Sequence, residues 1–348
     1  YHVDYVGAPR NSKWLNVTPI QNMWEQLQLT YDYGVEKLWI LNVGDLKPME
    51  YPITLFMDMA WNPKQFNVSN LLDHPRRFCA QQFGEDQADE AMRILNLYSK
   101  YNGRVTGEML DRNTYNLETG EWKQVSDEYL KLEAEALRQY ISLKPEYKDA
   151  YKQLILFPVQ AMANLYEMYY AQAMNHKLYK ENNPQANEWA DKVEQAFARD
   201  KALSDDYNNI MSGGKWKNMM IQKHIGYTSW NDNFPADTLP KIYRIENPEK
   251  AVGGYVFTGQ DGYIAIEAEH YYSAKAAPDT EWTVIPYMGR TLSGMALMPY
   301  TQPTDGASIS YKIKLPKGID KVTVHVIVKS TLAFHDRKGH EYSIGFEG

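Results

Sequence analysis

Cysteines, long apolar runs and basic runs are scarce or missing in this sequence. Cys79 is the one cysteine in 348 residues, so no disulfide forms within the chain, and its apolar neighbours predict burial rather than reactivity. No apolar run approaches the ~20 residues that a membrane-spanning helix needs. The formal net charge is -7 without a lysine- or arginine-rich run, which argues against nucleic acid because phosphate binding needs a basic surface.

No signal peptide opens the sequence, and Tyr1 lies inside a predicted strand. We therefore expect the sequence to start within a longer protein. Apolar residues make up 44% of the chain, enough to fill two or three cores. The 27 tyrosines and 9 tryptophans either pack in those cores or stack on sugar rings.

The first five residues show the two-residue alternation of a β-strand. This strand brings His2, Asp4 and Tyr5 to its carboxyl end, where a glycine and a proline break it and Arg10 follows. Such polar ends of parallel strands form the mouth of an α/β barrel, where side chains usually face a ligand. The alternative is an edge strand whose His2 and Asp4 point at water.

A second strand follows one helix later. Apolar residues at helical spacing predict a helix from Pro19 to Gly34, and the apolar run 37–44 predicts a parallel strand buried on both faces. Parallel strands end at the same edge of a sheet. We therefore expect the side chains near the end of the second strand to share a rim with His2 and Tyr5; they are Asn42, Asp45, Lys47 and Glu50.

The remaining chain divides by its periodicity. Amphipathic stripes at 86–101, 126–140, 151–179 and 187–202 predict a helical bundle over residues 68–225, with a kink or split at Pro158. Its tyrosine stripe (Tyr166, Tyr169, Tyr170 and Tyr179) fits a bundle core or the edge of a cleft. Residues 226–254 are interpreted as a linker. Residues 255–348, with β-branched runs at 263–270, 308–315 and 322–328, predict an incomplete β-sandwich.

Two long strings, YHVDYVGAPRNSKWLN at 1–16 and WILNVGDLKPME at 39–50, resemble glycoside hydrolase family 115, the xylan α-1,2-glucuronidases. GYTSW at 226–230, IEAE at 266–269 and GRTLSGM at 289–295 extend the resemblance along the chain. It implies the C-terminal part of a (β/α)8 TIM barrel in residues 1–67, followed by the helical bundle and the β-sandwich. It also implies release of glucuronic acid or its 4-O-methyl ether from xylan with inversion, a homodimer through the helical region, and a periplasmic or secreted location.

The resemblance implies that His2 and Tyr5 are active-site residues of this barrel and that Asn42 lies on the matching later strand. We add Arg10 and Lys47 as substrate-binding candidates, because a uronate carboxylate is bound well by a guanidinium or an ammonium.

The carboxylates that we place on the rim are Asp4, Asp45 and Glu50, and of these Asp4 and Glu50 are the catalytic candidates. Since the family's catalytic carboxylates lie on earlier barrel strands, we expect the general acid upstream of Tyr1. No cofactor or metal is implied. His2 and Asp4 could form half of a metal site, but no second ligand cluster of fitting spacing accompanies them.

Two other functions stay open from the sequence. One is a non-catalytic carbohydrate-binding or scaffold protein, and the other is a different barrel hydrolase that acts on acidic sugars. In the β-region, Trp282, Tyr287 and Tyr300 either stack on glycan or pack in the core.

Overall fold

A computed structural model describes residues 1–230, 235–246, 256–259, 262–329 and 341–346. The chain forms two compact units, Tyr1–Gly253 and Gly254–Gly348. Parts of the predicted linker, 231–234 and 247–254, lie outside the described residues. None of the described helices is both long and apolar enough to cross a membrane.

The first unit is helical. Its α-helices are α1 (Ile20–Asp32), α2 (Glu50–Trp61), α3 (Asp73–Phe83), α4 (Ala88–Asn102), α5 (Glu121–Ser142), α6 (Pro145–Tyr151), α7 (Phe157–Lys180) and α8 (Ala186–Asn209). A π-helical turn at Lys152–Leu156 joins α6 to α7, and 3₁₀ turns occur at Pro63–Gln65, Glu85–Gln87, Gly107–Met109 and Met211–Gly214. The four helical segments predicted from periodicity are confirmed as α4, α5, α6 to α7, and α8.

The predicted split at Pro158 is confirmed. Proline has no amide hydrogen, so Pro158 cannot donate the helical hydrogen bond to the carbonyl of Leu154, four residues earlier. The chain responds with the π-helical turn at Lys152–Leu156, directly before α7. This turn carries Gln153, whose side chain takes part in the site described below.

Two apolar cores lie in the first unit. The first collects residues from α1 to α4, α6 and the π turn, with Phe83, Tyr98 and Tyr151 as large buried members. The second joins α5, α7 and α8 around Trp122 and Tyr166 and includes Trp14 from the chain start. Because Val3, α1 and α2 share the first core with α3 and α4, residues 1–67 pack directly on the helical region. The division at residues 67 and 68 stays a prediction.

The two predicted barrel strands do meet. His2 and Asn42 form a parallel bridge, in which Val3 N donates to Asn42 O at 3.0 Å and Asn42 N donates to Tyr1 O at 2.8 Å. Burial of residues 37–44 on both faces is wrong: Trp39, Leu41 and Val43 pack against the first core, whereas Leu38 and Ile40 are exposed. Alternation sends successive side chains to opposite sides of the strand, and only one side meets the core. The complete TIM barrel stays a prediction.

The second unit holds short strands: β1 (Val256–Thr258), β2 (Ser273–Lys275), β3 (Glu281–Ile285), β4 (Gly294–Met298), β5 (Ser308–Ser310) and β6 (Lys312–Lys314). Among the described residues, β1 pairs with β6 in parallel, while the pairs β2–β5 and β3–β4 are antiparallel. The sandwich stays a prediction.

Two sequence interpretations of this unit are wrong. Residues 264–267 and 322–328 do not form strands, because β-propensity yields a strand only where a neighbouring strand pairs with it. Tyr287 and Tyr300 are exposed and therefore not core residues, and their contact with glycan stays a prediction.

Asn102, at the end of α4, joins the chain start to the bundle. It is fully buried, its Nδ2 donates to the carbonyl of Asn16 at 2.9 Å, and its Oδ1 accepts the hydroxyl proton of Tyr129 at 2.8 Å. Both partners are buried as well. The amide therefore satisfies two polar groups that have no access to water.

Replacing Asn102 by Ala should lower the free energy of unfolding by about 2–4 kcal/mol, because two buried partners lose their hydrogen bonds. Urea denaturation measures the change. Asn96→Ala on the same helix, where the amide bonds Gln21 at the surface, is the matched control and should cost less than about 0.5 kcal/mol. Equal losses in the two variants would contradict this account.

Candidate functional site

His2 and Tyr5 lie together at the chain start. Their rings stack with centroids 5.6 Å apart and an interplanar angle of 24°, and both side chains are exposed. The predicted alternation fails after His2, because the chain bends at Val3 and Asp4 and buries both of them. That bend brings His2 and Tyr5 to one side of the chain, where the imidazole of His2 and the phenol of Tyr5 are both exposed to solvent.

Asp4 lies beneath this pair and is buried. Its carboxyl group packs so closely on Gly44 that a Cβ at that glycine would lie 2.4 Å from the carboxyl carbon. Burial raises the pKa of Asp4, and the Asp45 carboxylate adds to the rise, while Lys13 and His2 act in the opposite direction. Asp4 therefore holds a proton to higher pH than an ordinary aspartate.

The loop after Tyr5 is closed by its own hydrogen bonds. Tyr5 and Ser12 exchange backbone bonds of 3.0 and 2.9 Å, and Asn11 Oδ1 accepts the Gly7 amide at 3.0 Å. Arg10 leaves this loop and donates from Nη1 to the carbonyl of Glu108 at 3.0 Å. Its guanidinium is thus held by a neutral acceptor.

Lys47 and Glu50 form a separate group. Lys47 Nζ lies 2.8 Å from Glu50 Oε1, which also accepts from Gln153 Nε2 at 2.6 Å. The Lys47 ammonium lies 4.0 Å from the ring centroid of Trp216, a cation–π contact. Lys47 is therefore already paired with a carboxylate, and Glu50 is held between two donors.

The structure thus brings together part of the predicted rim. His2, Asp4 and Tyr5 are adjacent, and Asn42, which is exposed, joins them through the bridge to His2. Arg10 points to the helical region. Lys47 and Glu50 bond each other, and Glu50 also accepts from Gln153 in the π turn, a partner that sequence spacing could not predict.

A second cluster, which we call the His224 cluster, consists of Trp14, Asp200, His224 and Asp237. The imidazole of His224 lies parallel to the Trp14 indole, with centroids 3.5 Å apart and an interplanar angle of 4°. Its Nε2 lies 3.0 Å from both carboxylate oxygens of Asp200, and Asp237 Oδ1 accepts the backbone amides of His224 and Ile225 at 2.7 Å each.

The contacts of His224 favour an imidazolium. Nε2 faces the Asp200 carboxylate, and Nδ1 lies 2.8 Å from the carbonyl of Gln222, so both ring nitrogens donate. Burial opposes this charge, but the Asp200 carboxylate, followed by Asp237 and the Gln222 carbonyl, outweighs it and raises the pKa of His224 to about 9. The two carboxylates and the ring lie close enough to hold a metal ion, which would have to displace a proton from the ring of His224.

Glu108 fixes the same segment from the other side. Its buried carboxylate accepts the backbone amides of Lys13 at 2.7 Å and Trp14 at 2.9 Å. Burial raises the pKa of Glu108, although these backbone bonds oppose the rise. The loop that carries Tyr5 and Arg10 is therefore anchored at Trp14 by Glu108 and His224.

Sequence reasoning missed the His224 cluster. His224 lies next to the predicted linker in a stretch without a clear period, so no pattern marked it as buried, and the linker assignment stays a prediction. Asp200 lies 24 residues earlier on α8, and no spacing rule joins the two.

Two family models match the ends of the chain. The model of glycosyl hydrolase family 115 matches residues 1–109, and that of the family's C-terminal domain matches residues 256–348. The chain belongs to glycoside hydrolase family 115. The first match contains the stacked pair, the bridge to Asn42 and Glu108; the second contains the described strands. No curated protein matches the chain.

A solved structure of this family shares the fold. It is a family 115 4-O-methyl-α-glucuronidase with specificity for decorated arabinogalactans, with a TM-score of 0.55 and 23% identity. The alignment covers 82% of this chain and 35% of the solved one. This family 115 chain thus spans about a third of that relative's length.

The His224 cluster makes stability depend on pH. The pKa of His224 is 6.5 in the unfolded chain and about 9 in the folded protein. Its contribution to the free energy of unfolding is therefore complete below pH 6.5 and is lost as the pH rises through 9. Asp200→Asn should lower the free energy of unfolding by roughly 3 kcal/mol at pH 6 and by much less at pH 10.

Urea denaturation at pH 6, 8 and 10 tests this dependence. Asp205→Asn, an exposed change on the same helix at a residue paired with Lys201, is the control and should show no such trend. A loss in Asp200→Asn that is the same at every pH would mean that His224 is not an imidazolium.

Proposed function

We propose that this family 115 protein is a glycoside hydrolase that releases glucuronic acid or 4-O-methylglucuronic acid from glucuronoxylan with inversion of the anomeric carbon. The stacked pair His2–Tyr5 carries the proposal, because it lies exposed within the segment that the family model matches. The solved relative, a 4-O-methyl-α-glucuronidase, supports the same chemistry.

The exposed members of the rim bind the sugar. His2 offers a ring nitrogen, Tyr5 a hydroxyl and Asn42 an amide, three groups that hydrogen-bond to sugar hydroxyls. Their backbones are fixed by the parallel bridge and by the closed loop, so little ordering is needed on binding. Arg10 donates to the carbonyl of Glu108 in the helical region, so its part in binding the uronate stays a prediction.

In this proposal the general acid is neither Asp4 nor Glu50. Inversion needs two carboxyl groups ~6.5–9.5 Å apart, with room for a water molecule on one side of the sugar. Asp4 is buried against Gly44, and Glu50 is bonded by Lys47 and Gln153. These contacts favour Asp4 and Glu50 as residues that position the rim, and we place the acid in a segment upstream of Tyr1.

The substrate is tested on the full-length protein. We expect release of the uronic acid from glucuronoxylan to exceed release from a uronate-decorated arabinogalactan, the polymer class named for the solved relative. Proton NMR of the product at early times should show the anomer opposite to that of the substrate. Faster release from arabinogalactan would refute xylan as substrate, and binding of both polymers without release would favour a carbohydrate-binding protein.

His2→Ala and Tyr5→Ala should each lower kcat/KM about ten-fold or more. Each change removes hydrogen bonds to a sugar held in a partly dry cleft, and ~1.4 kcal/mol corresponds to one decade. The melting temperature should barely change, because both side chains are exposed. Val35→Ala, at another exposed residue of this region, is the control for activity. Early melting with normal kcat/KM would assign His2 and Tyr5 to packing.

We also propose a homodimer through the helical region. Four residues on α5, spaced like the seam of a coiled coil, are apolar and exposed: Leu130, Ala134, Leu137 and Ile141. The opposite side of α5 already packs in the second core through Trp122 and Tyr129. This seam, which we call the α5 stripe, leaves apolar surface that a second copy could cover.

Leu137→Glu should convert the dimer to a monomer, because it places a charge in the middle of the α5 stripe. Light scattering on the full-length protein at several concentrations measures the mass. Ile210→Glu, at an exposed apolar residue outside α5, is the matched control and should leave the mass unchanged. A wild-type protein that is monomeric at all concentrations would refute the dimer.

A further inference from the structure

A basic depression lies at the end of α7. Its volume is about 440 Å³, within the ~300–1,000 Å³ typical of small-molecule sites. The lining residues come from α7, from the described part of the predicted linker (235–246), and from the turn after Met109: Gln172, His176, Tyr179, Lys180, Lys241, Tyr243 and Arg112. We call it the α7 depression.

The wall of the α7 depression is fixed by hydrogen bonds. The carbonyl of Lys241 accepts from Gln172 Nε2 at 2.9 Å and from His176 Nε2 at 2.7 Å. The backbone of Tyr243 bonds both ends of the Asn175 amide, which is buried in α7. Segment 241–243 is thus attached to α7 along its length.

The charge of the α7 depression is positive. Arg112, Lys180 and Lys241 line it, and no carboxylate does among the described residues. Burial is the largest cause that lowers the pKa of His176, and the charges of these three cations lower it further. The hydrogen bond of His176 to the Lys241 carbonyl acts in the opposite direction. In a protein of net charge -7, three cations that line one depression with no carboxylate among its described lining residues attract an anion.

The floor of the α7 depression is aromatic. Tyr179 and Tyr243 stack with centroids 4.7 Å apart at 16°, and Lys241 Nζ lies 5.0 Å from the Tyr243 ring. Tyr179 remains 40% exposed although Tyr243 covers one of its faces. An exposed phenol beside cations suits a ligand that combines an apolar ring face with an anionic group.

We propose that the α7 depression binds a uronosyl unit of an acidic glycan, with its carboxylate between Arg112, Lys180 and Lys241 and its ring against Tyr179. The preference for an anion follows from the charges alone. The choice of a uronate rests on the proposed function, since the full-length enzyme would meet polymers that carry this group. Such a second site would keep the polymer bound while its side groups are removed elsewhere.

Binding is measured by calorimetry on full-length protein that carries His2→Ala and Tyr5→Ala, so that the rim contributes little. A uronate-decorated xylooligosaccharide should bind, and the same oligosaccharide without uronate should bind at least about five-fold more weakly. Arg112→Gln and Lys241→Gln, added singly, should each weaken binding of the decorated probe about five-fold or more. Lys144→Gln, at an exposed lysine outside the α7 depression, is the control.

Proton uptake gives a second measurement. A bound carboxylate favours protonation of His176, so binding near pH 6 should take up protons, seen as a heat that depends on the buffer's ionisation enthalpy. The uptake should disappear in His176→Gln. Proton uptake on binding does not require hydrolysis, so it can be measured even if the enzyme hydrolyses another linkage.

Three results would overturn the inference. Equal binding of decorated and undecorated probes would refute the uronate as the group that is recognised. Unchanged binding in Arg112→Gln and Lys241→Gln would refute the α7 depression as the binding site. If inorganic phosphate bound as tightly as the decorated probe, and if Arg112→Gln and Lys241→Gln weakened its binding equally, the α7 depression would be a general anion site. The hydrolysis assay is separate: its failure with binding intact would refute the proposed activity and leave the α7 depression standing.

Discussion

The contact between Trp14 and His224 fixes the candidate site in its place. The rim loop has few apolar residues of its own, and its backbone would otherwise have to be ordered at a cost of ~1–2 kcal/mol per residue. Trp14 lies in the second core, where His224 covers one face of its indole and Glu108 binds its amide. The helical region therefore determines where Tyr5 and Arg10 lie.

Electrostatics explains why this anchor is stable although it is charged. A buried imidazolium alone would lose its proton, and a buried aspartate alone would gain one. His224 keeps its proton because Nε2 faces the carboxylate oxygens of Asp200 and Nδ1 faces the Gln222 carbonyl, all at hydrogen-bond distance. The indole face of Trp14 adds a cation–π contact on a side that no hydrogen bond can reach.

The sequence predicted the elements better than their contacts. Helical spacing located α1 and the split at Pro158, because both follow from local rules of side-chain period and a missing amide hydrogen. The order strand, helix, strand predicted that the two strand ends share an edge, but the bridge between His2 and Asn42 comes from the structure. The bond from Gln153 to Glu50 spans 103 residues, and no local rule reaches that far. Burial on one face of residues 37–44 likewise depends on which neighbours are present.

The same contacts suggest how one family fold accommodates different polymers. The residues that anchor the rim, Glu108, Trp14 and His224, are buried, whereas His2 and Tyr5 are exposed. The α7 depression lies at the end of α7, and the side chains of Lys180 and Lys241 that line it are exposed. In the two proposals above, uronosyl units bind at two separate places, the rim and the α7 depression, so replacing side chains around α7 tests the second place while the rim stays intact.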